Sequence, residues 1–294
     1  MEHRDLIRRI RKIEIVTHGL VNDLMAGQYH SVFKGQGMSF EEVREYQPGD
    51  DVRMIDWNVS ARMNGLFVKK FVEERELTVM LSVDMSRSQW FGTRGQRKNE
   101  LAAELAALLA FSAIENNDRV GLVLFTDRVE RFVPPKKGRT HVLSLVMEIL
   151  NFQPEGRGTS VATGLEYLSK VTKRRSVAFL VSDFLDARPR WEKALKVAHR
   201  RHDLIPLVMS DPAEEALPAD MGILWMEDPE TAQLVAIDTS DARVRAAWER
   251  QAGREREERE ELFRRLRIDF VNLRTDRPYV KPLVTLFRRR AARQ

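Results

Sequence analysis

Residues 84–88, Asp-Met-Ser-Arg-Ser, set a carboxylate and two hydroxyls at alternate positions directly after an apolar run. Two further oxygen-rich points follow: Thr159 and Ser160, after Gly156 and Gly158, and Ser182-Asp183, after Ser-Val-Ala-Phe-Leu-Val. The alternate spacing of Asp84, Ser86 and Ser88 lets one tight loop present three oxygens together. Two carboxylates with several hydroxyls, and no His or Cys among them, make a hard oxygen site suited to Mg²⁺, with Mn²⁺ or Ca²⁺ as substitutes, rather than to Zn²⁺. Because the hydroxyls are neutral, such an ion keeps room for a further anionic ligand. Any one of these residues taken alone reads as an ordinary helix cap. Three sets at corresponding strand ends favour the ion.

The elements that must position these groups are legible from periodicity. The runs LTVMLSVD, RVGLVLFTD, SVAFLVSDF and HDLIPLVMS are nearly continuously apolar, as parallel strands covered on both faces must be. Helical stretches lie between them at about residues 96–116, 139–150, 160–172 and 189–200, with Leu101, Leu105, Leu108 and Leu109 forming a core stripe. Alternating strands and helices predict an α/β fold with a doubly wound, mostly parallel, Rossmann-like sheet. In such a sheet the carboxyl ends of neighbouring strands converge on one crevice, and the three oxygen sets should meet there. Three parts are expected: an amphipathic helix over 1–28, a small turn-rich β segment over 29–76 and the α/β domain over 77–294. The helix is marked by Leu6, Ile10, Ile13, Leu20 and Leu24. In the β segment VRMIDW and LFVKKFV are short alternating runs; the last domain includes a 222–238 hairpin, a strand at IDFVNLR and charged carboxyl-terminal helices.

Asp84-Met85-Ser86-Arg87-Ser88 matches the D-x-S-x-S element of the metal-ion-dependent adhesion site of von Willebrand factor A domains, and Arg157–Leu165 (RGTSVATGL) and Asp183 in VSDF resemble its later parts. The resemblance implies a von Willebrand factor A-like fold. It also implies that Ser86, Ser88 and Thr159 coordinate the ion directly, that Asp84 and Asp183 act directly or through water, and that an acidic side chain from a protein partner completes the shell. Upstream, GQGMSFEEVREYQPGDDVRMIDWNVSARMNGLFVKKFVEERE closely resembles the signature of the bacterial domain of unknown function 58 family. That resemblance implies partnership with a MoxR-type AAA+ ATPase. Many relatives carry membrane helices ahead of the signature; only a short charged helix precedes it here, so membrane anchoring is not carried over.

The signature also has a physical reading. Pro48 and Gly49, after Tyr46, set a turn, and Asp50, Asp51 and Arg53 with Arg44 and Arg62 suggest a charge network fixing an irregular loop; Asp56 and Trp57 are expected to brace it against the sheet. A partner-binding role for the same residues is the alternative.

Composition removes several function classes. The 294 residues are 43% hydrophobic and 32% charged, a globular balance, and contain no cysteine, which excludes thiol catalysis and thiolate metal sites. No signal peptide or transmembrane run is visible, which suggests the cytoplasm. The net charge of +5 is uneven: residues 240–294 carry 16 basic and 9 acidic side chains, so the rest of the chain is slightly acidic. The mixed-sign run REREEREELFRR reads as a solvated helix face, whereas Arg288, Arg289, Arg290 and Arg293 look unneutralised and raise nucleic-acid binding as an alternative. An enzyme reading needs Asp84 as the nucleophile of a Mg²⁺-dependent phosphohydrolase, but the second acid two positions on is replaced by Ser86. No phosphate-binding loop, dinucleotide fingerprint or serine-hydrolase elbow is present, and His199 and His202 lack a third ligand. The sequence therefore points to a non-catalytic, metal-dependent protein-interaction module.

Overall fold

In the computed structural model the described residues are 39–293, except 64, 73–75, 94, 157, 220 and 228–232. The expected helix over 1–28 lies outside them. Contacts group residues 33–77 as one unit and 78–294 within another.

In the smaller unit β1 (Ser39–Glu45) pairs antiparallel with β2 (Phe67–Val72). Between them the chain makes a 3₁₀ turn at Val52–Met54 and a short helix α1 (Trp57–Met63). The run VRMIDW is thus not a strand. Asp51 accepts a hydrogen bond from Arg53 N at 2.9 Å and Asp56 accepts from Asn58 N and Val59 N at 3.0 and 3.2 Å, so side-chain caps turn both ends of the run into helix starts. Only Ile55 keeps a bridge, to Val68, and both are buried.

The larger unit is built on β3 (Thr78–Asp84), α2 (Lys98–Glu115), β4 (Arg119–Phe125), β5 (Val129–Lys136), α3 (Arg139–Asn151), α4 (Val161–Val171), β6 (Val177–Ser182), α5 (Arg188–Arg201) and β7 (Asp203–Ser210). It continues through a single turn α6 (Pro212–Glu215), the antiparallel pair β8 (Ile223–Glu227) and β9 (Leu234–Asp238), the long α7 (Ala242–Arg265), β10 (Val271–Arg274) and α8 (Val280–Ala291). Six strands form one sheet in the order β10-β7-β6-β3-β4-β5. All neighbours are parallel except β4 and β5.

The continuous apolar runs behave as parallel interior strands: β6 is buried throughout and β3 from Val79 onward. Strand β5 was not expected from the sequence, because Pro134 and Pro135 interrupt it. At the sheet edge one side of the ladder has no partner to lose, and proline is tolerated there. Helix α2 is buried around most of its circumference, and Trp191, Phe179, Phe263 and Phe287 are among the largest fully buried side chains. The chain leaves β3 towards β4 on one side and later returns to β6 on the other. The strand order therefore reverses at β3, where the crevice beyond its carboxyl end is a natural ligand position.

Candidate functional site

Asp84 ends β3 at that reversal and is fully buried. Its Oδ1 accepts a hydrogen bond from Ser86 N at 2.9 Å, and its Oδ2 accepts one from Ser182 Oγ, at the end of β6, at 2.7 Å. The loop then turns into a 3₁₀ segment, Arg87–Trp90, which brings Ser86 Oγ and Ser88 Oγ to 3.1 Å. The Ser88 hydroxyl also helps to lower the pKa of Asp183. Asp84, Ser86, Ser88, Ser182 and Asp183 thus form one buried cluster across β3 and β6.

Asp183 is fixed by a strained turn. Phe184 adopts φ +56°, the left-handed region that costs a non-glycine residue roughly 1–2 kcal/mol. It is held by edge-on packing against Trp191 and Phe263, with ring centroids at 5.1 and 5.6 Å. Ser182 Oγ accepts from Phe184 N, and Asp183 Oδ1 accepts from Leu185 N at 3.2 Å.

Thr159 reaches the same end of the sheet by a different route. Ser160 N donates to the Thr126 carbonyl, just past β4, at 3.0 Å, and Val161 N donates to Asp186 Oδ2 at 3.3 Å, so the Thr159 loop spans from β4 to the segment after β6. Glycine is required at 156, where a Cβ would strike the Thr126 hydroxyl. Ser160 caps α4 by accepting from Thr163 N. Thr159 is itself buried, and its hydroxyl has no hydrogen-bond partner among the described residues.

The sequence reading missed a cation inside this cluster. Lys98, the first residue of α2, is fully buried; its ammonium donates to Asp183 Oδ2 at 2.7 Å and also to Glu214 Oε1 of α6. A lysine in the polar stretch GTRGQRK looks solvated, and no local signal distinguishes it. Glu214 was legible only as the last residue of a capping box with Asp211.

The electrostatics follow from this arrangement. Burial, and then the charge of Asp183, raise the Asp84 carboxyl to about 7. Burial also opposes ionisation of Asp183, but the Lys98 ammonium outweighs it and holds this carboxyl below its usual range. Lys98 is pushed up despite burial because Asp183 and Glu214 face it, while burial raises Glu214.

Among the described residues no three His, Asp or Glu side chains come together in metal-binding geometry, so an ion here must rely on hydroxyls. The donors fit that demand. An octahedral Mg²⁺ with oxygens at about 2.1 Å sets neighbouring ligands about 3 Å apart, close to the 3.1 Å between the two serine hydroxyls. Burial first, and then the Asp183 charge, disfavour the ionised form of Asp84, and a nearby cation would offset both.

The signature residues of the smaller unit divide. Arg44 and Asp50 form a two-pronged ion pair at 2.7 and 2.8 Å, and Asp50 also accepts from Gln47 N, closing the turn at Pro48 and Gly49, where Gly49 takes φ +110°. Tyr46 N donates to the Leu66 carbonyl, and Lys69 lies 3.5 Å from Asp56. The wider network is corrected: the exposed Arg53 and Arg62 side chains make no ion pair among the described residues, and Trp57 is 64% exposed rather than braced on the sheet. Three of the four carboxyl-terminal arginines are paired, through two acids, and exposed Arg288 makes no ion pair among the described residues. Arg289 and Arg293 pair with Asp269 at 3.0 Å, and Arg290 with Asp203 and Asp269, acids from other elements that a local tally cannot assign. No helix among the described residues is long and apolar enough to cross a membrane.

The doubly wound sheet, with an oxygen-rich loop at its strand reversal, is the von Willebrand factor A-like arrangement expected from the sequence. Two solved structures show distant similarity to the chain. The chain is similar to BatB, a conserved hypothetical protein of Bacteroides thetaiotaomicron, at 14% identity and a TM-score of 0.48, covering 74% of this chain and 99% of that one. A von Willebrand factor type A protein of Catenulispora acidiphila matches at 10% identity and a TM-score of 0.32, over 49% and 35%. Among proteins compared by sequence, an uncharacterized protein of Mycobacterium tuberculosis is 30% identical over 291 residues, 98% of this chain and 91% of the relative. Residues 42–258 match the family described as "Protein of unknown function DUF58", and with most of its length inside that match the chain belongs to the DUF58 family.

Proposed function

We propose that this chain is a non-catalytic, divalent-cation-dependent protein-interaction module of the cytoplasm, serving as partner or adaptor of a MoxR-type AAA+ ATPase. The observation that carries the reading is the buried cluster of Asp84, Ser86, Ser88, Ser182 and Asp183, with the Thr159 hydroxyl, at the same end of the sheet, making no hydrogen bond among the described residues. In this reading Ser86, Ser88 and Thr159 hold Mg²⁺, and Asp84 and Asp183 supply the negative charge around it. The ion, when bound, supplies an open coordination position for an oxygen ligand from the partner. This chain's own residues fix the position of that ligand: the Asp84–Ser182 bond locks β3 to β6, and Lys98 holds Asp183 in place. The ATPase partner rests on the family resemblance alone.

A phosphohydrolase is the weaker reading. Both oxygens of Asp84 already accept hydrogen bonds and the side chain is buried, so it is not free to attack an ester. Nucleic-acid binding is also the weaker reading, because Asp203 and Asp269 take up part of the charge of Arg289, Arg290 and Arg293.

The reading is tested by titrating Mg²⁺ calorimetrically into the wild-type chain, Asp84→Ala and Asp183→Ala, with circular dichroism to verify folding. A pull-down with and without chelator identifies the partner. Saturable binding that both substitutions abolish is expected. Unaltered Mg²⁺ affinity in both folded variants sinks the site assignment, and metal-dependent hydrolysis of phosphate esters that Asp84→Ala removes would replace this reading with the enzyme.

A further inference from the structure

Helix α7 crosses the edge of the crevice. Trp248 Nε1 donates to the Glu214 carbonyl at 3.0 Å, Glu258 lies 3.7 Å from Arg188, and Phe263 packs on Phe184, the residue after Asp183. Arg259 stands four residues before Phe263 and therefore on the same helix face. It is half-buried, and its Nε is buried with no hydrogen-bond partner. No ion pair includes its guanidinium among the described residues, because the acids beside it are engaged. Glu260 accepts from Arg256, Arg264 and Asn272, and Glu255 accepts from Gln251. Burial lowers the Arg259 pKa, and the charges of Asp183, Glu260 and Glu255 act in the opposite direction.

A half-buried arginine without a counter-ion is costly unless something arrives to pair with it. Lys98 cannot receive an incoming anion, since Asp183 and Glu214 already take its ammonium. The charge balance points the same way. With a divalent ion bound and Asp84 ionised, Asp84, Asp183 and Glu214 against the ion, Lys98 and Arg259 leave one positive charge, which a single carboxylate neutralises.

We propose that Arg259 is the anion-reading residue of this crevice, so that the ion held by the β3 loop and the Arg259 guanidinium together take one aspartate or glutamate carboxylate from a protein partner. This rests on the metal-dependent reading above and adds the residue that selects the ligand. A guanidinium offers a planar fork matched to a carboxylate, so the site prefers a carboxylate over a neutral amide of the same shape.

The experiment uses the full chain and two blocked tripeptides, acetyl-Gly-Glu-Gly-amide and its Gln counterpart, titrated by NMR in the presence and absence of saturating Mg²⁺, with Mg²⁺ alone measured by calorimetry. The wild type is expected to bind the Glu peptide only with Mg²⁺, and in preference to the Gln peptide. Arg259→Met is expected to bind the Glu peptide about tenfold more weakly, while binding Mg²⁺ alone several-fold more tightly because a nearby positive charge is gone. These opposite shifts are not expected from loss of packing. If Arg259→Met fails to fold, Arg259→Gln takes its place with the same expectations. Unchanged Glu-peptide affinity in a folded variant, or a wild type that binds Mg²⁺ but not the Glu peptide, overturns the role of Arg259 alone. A wild type that binds no Mg²⁺ overturns the metal reading and this proposal with it.

Discussion

Replacing Lys98 by Met keeps the length of the aliphatic stem but removes the only cation bonded to Asp183 and Glu214 among the described residues. The lysine side chain is 0% exposed, that of Asp183 1% and that of Glu214 21%. Breaking a buried pair by deleting one partner costs about 3–5 kcal/mol, because the other charge is left uncompensated. Glu214 still reaches solvent, and either acid can take up a proton, so the lower end, ~3 kcal/mol, is the expectation here. For a domain of this size that is a fall in melting temperature of roughly 6–12 °C. Urea unfolding followed by tryptophan fluorescence at neutral pH, in chelator, measures the loss directly. The double variant Lys98→Met with Asp183→Asn should recover most of it, since the stranded charge is then gone. A loss below about 1 kcal/mol, or a double variant no more stable than the single one, refutes the view that Lys98 is a structural counter-ion of the site.

Two further outcomes follow from the same geometry. Because the folded carboxyl of Asp84 titrates at about 7 against an unfolded value of 3.8, its favourable contribution in the metal-free chain is full below 3.8 and is gone once the pH has risen through 7. Asp183 acts oppositely and loses its contribution only on acidification below the carboxylate range, with Lys98 and Glu214 facing both. Unfolding in chelator between pH 5 and 7 should show stability falling with pH and Asp84→Asn flattening the slope; a rise that Asp84→Asn leaves intact contradicts it. At Gly164 in α4 a Cβ would stand 2.6 Å from the Phe125 ring, so Gly164→Val should cost about 1–3 kcal/mol and weaken Mg²⁺ binding by shifting Thr159. A variant as stable as the wild type in urea would show that α4 has room to move.

The strands were legible because burial on both faces forces a continuous apolar run, as in β6, where every residue is buried. The carboxyl-end oxygens were legible because Asp84, Ser86 and Ser88 lie within five residues and each terminates or follows such a run. Where local chemistry competed, the reading failed. VRMIDW alternates as a strand would, yet Asp51 and Asp56 cap helical turns around it, and a backbone donor satisfied by a nearby carboxylate outweighs alternation in so short a run. The prolines of β5 hid a strand that the sheet edge permits.

By itself the sequence determined the α/β class, the parallel interior strands and the hard-oxygen character of the crevice, because each is written in residues close together along the chain. Only the tertiary structure decided which charges meet. Lys98 pairs with Asp183 across 85 residues and with Glu214 across 116, Arg290 finds Asp203 across 87, and Arg259 is left with a buried Nε that has no partner among the described residues. Whether a charge is solvated, paired or stranded depends on what packs over it, and no spacing in the sequence encodes that.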